Sequence, residues 1–100
     1  MIDTNKIKAY VQVDDFNSAY KEIYKEYEQL TKSFLQRHHI ELDEKECLPD
    51  YCNLIIKYFP KYQSYMKKIK KFMFSEDENA IEKIQKFINS YEEIYGILNS

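Results

Sequence analysis

The chain has 100 residues, 15 of them basic and 17 acidic, which gives a formal net charge of −2 at neutral pH. One glycine and two prolines are too few for the tight turns of a sheet-rich fold of this size, so the composition favours long helices with few connections. No apolar run approaches the roughly 20 residues of a membrane span, and the N-terminus lacks the apolar core of a signal peptide, so we expect one all-α domain over residues 1–100 in the cytoplasm.

Codon bias is visible in the composition. Lys, Ile, Tyr and Asn fill 42 positions, and Arg37 is the single arginine. This bias is typical of AT-rich genomes, such as those of low-GC bacteria and their phages.

The N-terminal segment supports two interpretations. Residues 6–13 place Ile7, Ala9, Val11 and Val13 on alternate positions, as in a strand. No second run of this kind exists in the chain, so such a strand would need a partner in another molecule. The alternative is a short helix that begins at Asp3 or Thr4.

A long amphipathic helix follows. Asp14 and Asp15 provide a helix start, and apolar residues then recur at spacings of three and four from Phe16 to Phe34. We expect this helix to end near Arg37. An acid-rich connection, residues 40–49, comes next.

The central segment, Tyr51–Ser75, contains six lysines and no acid, so its charge is +6 while the other 75 residues carry 9 basic and 17 acidic side chains. Its apolar and tyrosine side chains fall on one helical face and most of its lysines on the other. Pro60 interrupts the pattern and either kinks the helix or divides it. Because both faces keep their register across Pro60, we favour the kink.

A capping box, Ser75–Glu78, predicts the start of the last helix, whose apolar face runs from Ile81 to Leu98. Three long helices at these spacings predict a small antiparallel bundle, or four helices if the central one breaks at Pro60.

The residues that could perform chemistry do not form a recognisable site. His38, His39, Cys47 and Cys52 lack the ligand spacing of a structural zinc site. The acids around Cys47 disfavour a reactive thiolate, and a single glycine excludes a glycine-rich phosphate loop. We therefore expect reduced thiols, and no catalytic residue, metal, cofactor or small-molecule substrate.

Tyrosine supplies the first candidate for a binding surface. In the middle of the central apolar face, tyrosines stand where leucine is usual, and a buried phenol needs a partner for its hydroxyl group. The alternative is an ordinary core whose hydroxyls emerge at the helix margins. If these rings form an interface, the protein binds a protein partner or forms a homodimer, and the predicted interface residues are Tyr51, Tyr58, Tyr62, Tyr65 and Ile69.

The lysines supply the second candidate. They could hold the phosphates of a nucleic acid without reading its bases, because base reading is mainly the work of arginine. The alternative is a solvated face that pairs with the acids of residues 41–50 or 76–82. The predicted nucleic-acid-binding residues are Lys57, Lys61, Lys67, Lys68 and Lys71.

The leading functional hypothesis is a small non-enzymatic protein that acts through protein–protein interaction. Accessory, inhibitor and immunity proteins of mobile elements have this size and charge profile. Nucleic-acid binding through the lysines is the alternative hypothesis.

Overall fold

The structure is a computed structural model that describes residues 2–74, apart from the Phe74 side chain, and residues 79–99. Within these residues the chain forms five α-helices and no strand, so the all-α prediction is confirmed. The helices are α1 (Thr4–Gln12), α2 (Phe16–Arg37), α3 (Leu48–Tyr58), α4 (Gln63–Phe74) and α5 (Ala80–Leu98), with a 3₁₀ turn at Pro60–Tyr62.

Aspartate side chains begin the first two helices, as the sequence predicts. The Asp3 carboxylate accepts a hydrogen bond from the Lys6 N–H at the start of α1, so the helical alternative for this segment is confirmed. The Asp15 carboxylate accepts hydrogen bonds from the Ser18 N–H at 3.2 Å and the Ser18 hydroxyl at 2.7 Å. The predicted bounds of α2 are also correct.

The same two helices end in one type of turn, although neither contains glycine. Asp14 and His39 adopt left-handed backbone conformations, with φ of 57° and 61°. At the end of α2, Ile40 N–H donates to the Leu35 carbonyl and His39 N–H donates to the Gln36 carbonyl, which is the Schellman pattern. These turns provide hydrogen-bond partners for the last carbonyl groups of each helix.

The central segment divides at Pro60, so the favoured single kinked helix is wrong. Phe59 leaves the helical region, with φ −134° and ψ 68°, and the 3₁₀ turn follows before α4 begins. The Phe59 ring packs 5.1 Å from the Phe34 ring and 4.7 Å from the His38 ring, centre to centre. These contacts with the end of α2 hold the chain away from a continuous helix.

The last helix begins at Ala80, where the Asn79 side chain accepts a hydrogen bond from the Ile81 N–H at 2.9 Å. The capping box predicted at Ser75–Glu78 lies outside the described residues.

The second helix forms the centre of the fold, since it packs against α1, α3 and α5, while α4 packs against α3 and α5. Tyr27 of α2 is fully buried, and its hydroxyl donates to the Phe87 carbonyl of α5 at 2.6 Å. The rings of Phe87 and Tyr91 meet the Tyr27 ring edge to face. One hydrogen-bonded phenol thus joins the two longest helices.

Candidate interaction surfaces

The structure separates the five residues of the predicted tyrosine interface. Tyr51 and Ile69 belong to the core, with 4% and 0% of their surface exposed, so neither reaches the surface of this fold. Tyr62 and Tyr65 are half-buried, and Tyr58 is 51% exposed. Only these last three side chains are accessible to a partner.

Two of the accessible tyrosines lie beside lysines at the Pro60 turn. The Lys57 ammonium lies 5.3 Å from the centre of the Tyr58 ring, and the Lys61 ammonium lies 5.0 Å from that of Tyr62. Tyr62 also packs edge to face on Phe34, at 5.6 Å. The turn therefore presents aromatic rings and cations together.

The five predicted nucleic-acid-binding lysines, which we call the lysine stripe, are divided by the break at Pro60. Lys57 lines a shallow cavity together with Lys45 and the acidic side chains of Asp43, Glu46 and Asp50, so three acids outnumber the two cations there. Lys61 stands in the turn itself, and Lys67 is exposed on α4. The stripe is not one continuous basic face.

The α4 half of the stripe gains a lysine that sequence reasoning missed. Lys68 and Lys71 line a cavity of about 370 Å³ together with Lys86 of α5, and the polar side chains of Asn89 and Ser90 complete it. Lys86 lies in a helix of mixed charge, so only the packing of α4 against α5 brings it to this group. We call the cavity that these three lysines line the lysine cavity. One of these lysines, Lys68, forms an ion pair with Glu93, with 3.9 Å between its ammonium nitrogen and a carboxylate oxygen.

An aliphatic groove between α1 and α5 is the second feature that sequence reasoning missed. The groove has a volume of about 500 Å³ and carries polar residues along both edges. Its aliphatic lining residues are Ile7, Val11, Ile81, Ile84 and Ile88. The sequence signal for this groove was that the apolar face of α5 is broader than the core can cover. Phe87, Tyr91, Ile94 and Leu98 are buried in the core, whereas Ile81 is 55% exposed.

The cysteines and histidines do not form a reactive centre in the described residues. Burial raises the pKa of the Cys52 thiol to about 12. The pKa of the Cys47 thiol is also raised, first by desolvation and second by the neighbouring Asp50 carboxylate. The His38 ring packs at a tilt against the Phe34 ring, with ring centres 4.6 Å apart. In the part of the chain that the structure describes, no three His, Cys, Asp or Glu side chains are grouped closely enough to hold a metal ion.

Among the described helices, none is both long and apolar enough to cross a membrane. Comparisons of the chain with protein-family models, with curated proteins and with solved structures find no match.

Proposed function

We propose that this chain is a non-enzymatic protein that acts through protein–protein contact, and that a second copy of the chain occupies the α1–α5 groove. The aliphatic groove is the observation that carries the proposal. Five of its lining residues are β-branched aliphatic side chains, bordered by polar side chains, and no described helix fills it. At one end Ile81 is 55% exposed, and Val13, next to the groove residue Gln12, is 71% exposed.

Burial of these side chains supplies a driving force for association. Complete burial of one Ile or Val side chain contributes about 1.5–3 kcal/mol. In a two-fold dimer each residue is buried twice, because both subunits use the same surface. Ile81 and Val13 therefore account for four buried aliphatic side chains in one interface.

The edges of the groove complement each other in a two-fold arrangement. The α1 edge carries the cation Lys8, and the α5 edge carries the anion Glu92. When two copies face each other with the α1 edge of one against the α5 edge of the other, Lys8 meets Glu92 twice. This complementarity favours a second copy over a strongly charged partner.

Light scattering on size-exclusion fractions tests the proposal. We expect a concentration-dependent dimer that the Ile81→Glu variant abolishes, because a carboxylate in the apolar groove has no partner. The matched control is Tyr58→Glu, since Tyr58 is exposed to a similar extent, 51%, on another surface.

Two outcomes would contradict the groove assignment. A monomer at every concentration would remove self-association. A dimer that Tyr58→Glu disrupts and Ile81→Glu preserves would transfer the interface to Tyr58, Tyr62 and Tyr65, the accessible part of the predicted tyrosine surface.

The lysine cavity favours a second candidate function, nucleic-acid binding through phosphate contacts. Three lysine side chains line one cavity with a hydroxyl and an amide group beside them, and this combination suits a phosphate backbone, which would compete with Glu93 for Lys68. The net charge of −2 opposes this function, because nucleic-acid-binding domains are usually basic.

Retention on a heparin column and on a single-stranded DNA column separates the two halves of the stripe. We expect simultaneous change of Lys68, Lys71 and Lys86 to Ser to lower the salt concentration of elution. The double change Lys57→Ser and Lys61→Ser is the control and should have a smaller effect, since acids surround Lys57. Unchanged retention of the triple variant would exclude this function.

The arrangement of the helices and the cellular location of the protein also belong to the proposal. The antiparallel bundle expected from the sequence does not describe α2 and α3, which run in the same direction because Tyr24 meets Leu48 and Phe34 meets Phe59. We place the protein in the cytoplasm, which its two unpaired cysteines, Cys47 and Cys52, support. The accessory, inhibitor or immunity role stays a proposal based on size and charge.

A further inference from the structure

A cavity between four helices shares no described lining residue with the groove or with the lysine cavity. It is bordered by residues 20–27 of α2, the first turn of α3, the last turn of α4 and the first half of α5. Its volume is about 320 Å³, within the range of roughly 300–1,000 Å³ of small-molecule sites. The lining includes the buried aliphatic side chains of Ile23 and Leu48.

Aromatic rings make up much of the lining. Four of the nine described lining residues are aromatic: Tyr20, Tyr24, Tyr27 and Phe87. Tyr27 is buried and presents its ring, because its hydroxyl donates to the Phe87 carbonyl at 2.6 Å. The Met73 thioether adds a polarisable group, which contacts aromatic rings favourably. Such a lining favours an aromatic ligand, since edge-to-face ring contacts add to the gain from apolar burial.

The other polar groups of the lining already have partners within the chain. The Tyr24 hydroxyl is hydrogen-bonded to the backbone of Leu48. The Lys83 ammonium lies 5.4 Å from the centre of the Tyr20 ring, and both side chains have further partners in the chain. None of the described lining residues is a carboxylate. The described lining therefore offers a ligand apolar and aromatic contacts rather than an ion pair.

We propose that this cavity binds a small neutral aromatic molecule of one or two rings. A cavity of roughly 150 Å³ lined by aliphatic and aromatic side chains can hold a benzene molecule, so the larger volume here accommodates a second ring. A charged group would leave water without gaining a partner, which opposes its binding.

Titration with indole, a neutral molecule of two rings, tests the site by ¹H–¹⁵N NMR. We expect indole to shift the backbone amide signals of Tyr24, Leu48, Met73 and Phe87. The anionic analogue indole-3-carboxylate keeps both rings and adds a charge, so it should bind at least about tenfold more weakly.

The Met73→Trp variant attaches an indole group to the wall of the cavity. Met73 is half-buried and the wild-type chain contains no tryptophan, so the fluorescence of this variant reports the surroundings of the new ring. We expect blue-shifted emission, because the ring enters the cavity. Added indole should then bind at least about tenfold more weakly than to the wild type, because the space is filled.

Ile56→Trp is the matched control, because Ile56 is also half-buried and lies on α3 outside the cavity. It should leave the binding of indole unchanged. Circular dichroism of both variants checks that the fold is intact.

Several results would overturn the proposal. The first is no shift of the cavity signals at millimolar indole. The second is a set of shifts confined to the α1–α5 groove. The third is equal affinity for indole and indole-3-carboxylate, because the cavity would then not select a neutral ligand. The fourth is water-exposed emission from Met73→Trp, or indole binding that this variant leaves unchanged, because the cavity would then not hold an indole ring.

Discussion

Two residues other than glycine adopt the left-handed backbone conformation in the described chain, Asp14 and His39. A side chain in this conformation costs roughly 1 kcal/mol, because its Cβ approaches the following carbonyl group, and glycine avoids that cost. We predict that His39→Gly raises the free energy of unfolding by about 0.5–1 kcal/mol, measured by urea denaturation.

The adjacent His38 provides the control for this prediction. Its φ of −94° is not left-handed, and its ring stacks on Phe34 and Phe59. His38→Gly should therefore lower stability. Destabilisation by His39→Gly would mean that the His39 side chain makes a contribution larger than the backbone cost.

Burial of the Cys52 thiol makes stability depend on pH. The pKa of this thiol is raised from 9.0 to about 12 in the folded chain. Its contribution is complete below pH 9 and is lost as the pH rises from 9 toward 12, because the unfolded chain then releases a proton that the folded chain keeps. We predict that the free energy of unfolding falls between pH 9 and 10, with a slope approaching 1.4 kcal/mol per pH unit, roughly, from this group.

Cys52→Ala should reduce that slope, whatever its effect on stability at pH 7. Cys47→Ala is the control, because Cys47 is exposed and should contribute much less. Equal slopes in wild type and Cys52→Ala, measured by urea denaturation at each pH, would contradict the prediction.

At the scale of elements, the break between α3 and α4 has two causes, the Pro60 ring and the packing of Phe59. Replacement of Pro60 by Ala acts mainly on the unfolded chain and should cost at most about 1 kcal/mol. Loss of the Phe59 ring removes its contacts with Phe34 and His38 and should cost about 2–3 kcal/mol. We predict that Phe59→Ala destabilises the protein more than Pro60→Ala in urea denaturation.

Far-UV circular dichroism provides the second readout for the same pair of variants. If Phe59 packing maintains the break, the helical signal of Pro60→Ala equals that of the wild type. A clear rise in that signal would mean that α3 and α4 fuse, and that proline alone separates them.

Elements that depend on local signals were predictable from the sequence. For α2, the Asp15 cap, the apolar spacing and Arg37 at the end are all visible in the chain, and its bounds are correct. In α1 the strand-like alternation of Ile7 and Val11 is equally compatible with one helical face, so pattern alone left two alternatives. At the break, Phe59 packs on Phe34, which lies far away in sequence, so no local pattern specifies this contact.

The binding surfaces were less predictable than the helices. Lys57 and Lys68 fall on one face when the central segment is a single helix, and the break separates them. Lys86 joins Lys68 only after α4 packs on α5. The groove likewise depends on the separation between α1 and α5, which no local pattern specifies.

At the scale of the whole molecule, α1 is the helix with the fewest neighbours. It packs against α2 through the buried Ile7 side chain and the Lys6–Glu22 ion pair at 3.1 Å, and it faces α5 across the groove. We predict that α1 amides exchange hydrogen faster than those of α2 and α5 in dilute protein. Mass spectrometry should find that α1 gains protection as the protein concentration rises.

In the Ile81→Glu variant α1 should gain no such protection, because the groove is not covered by a second copy. Protection of α1 equal to that of α2 in dilute protein would show that α1 belongs to the same cooperative unit as the core.

The position of α5 has a consequence for how the surfaces affect one another. This helix contributes Ile81 to the groove and Lys86 to the lysine cavity. Since a packed helix moves as a rigid element, we expect a ligand that displaces α5 to alter both surfaces. Thermodynamic reciprocity then applies: the factor by which such a ligand changes self-association equals the factor by which self-association changes the affinity for that ligand.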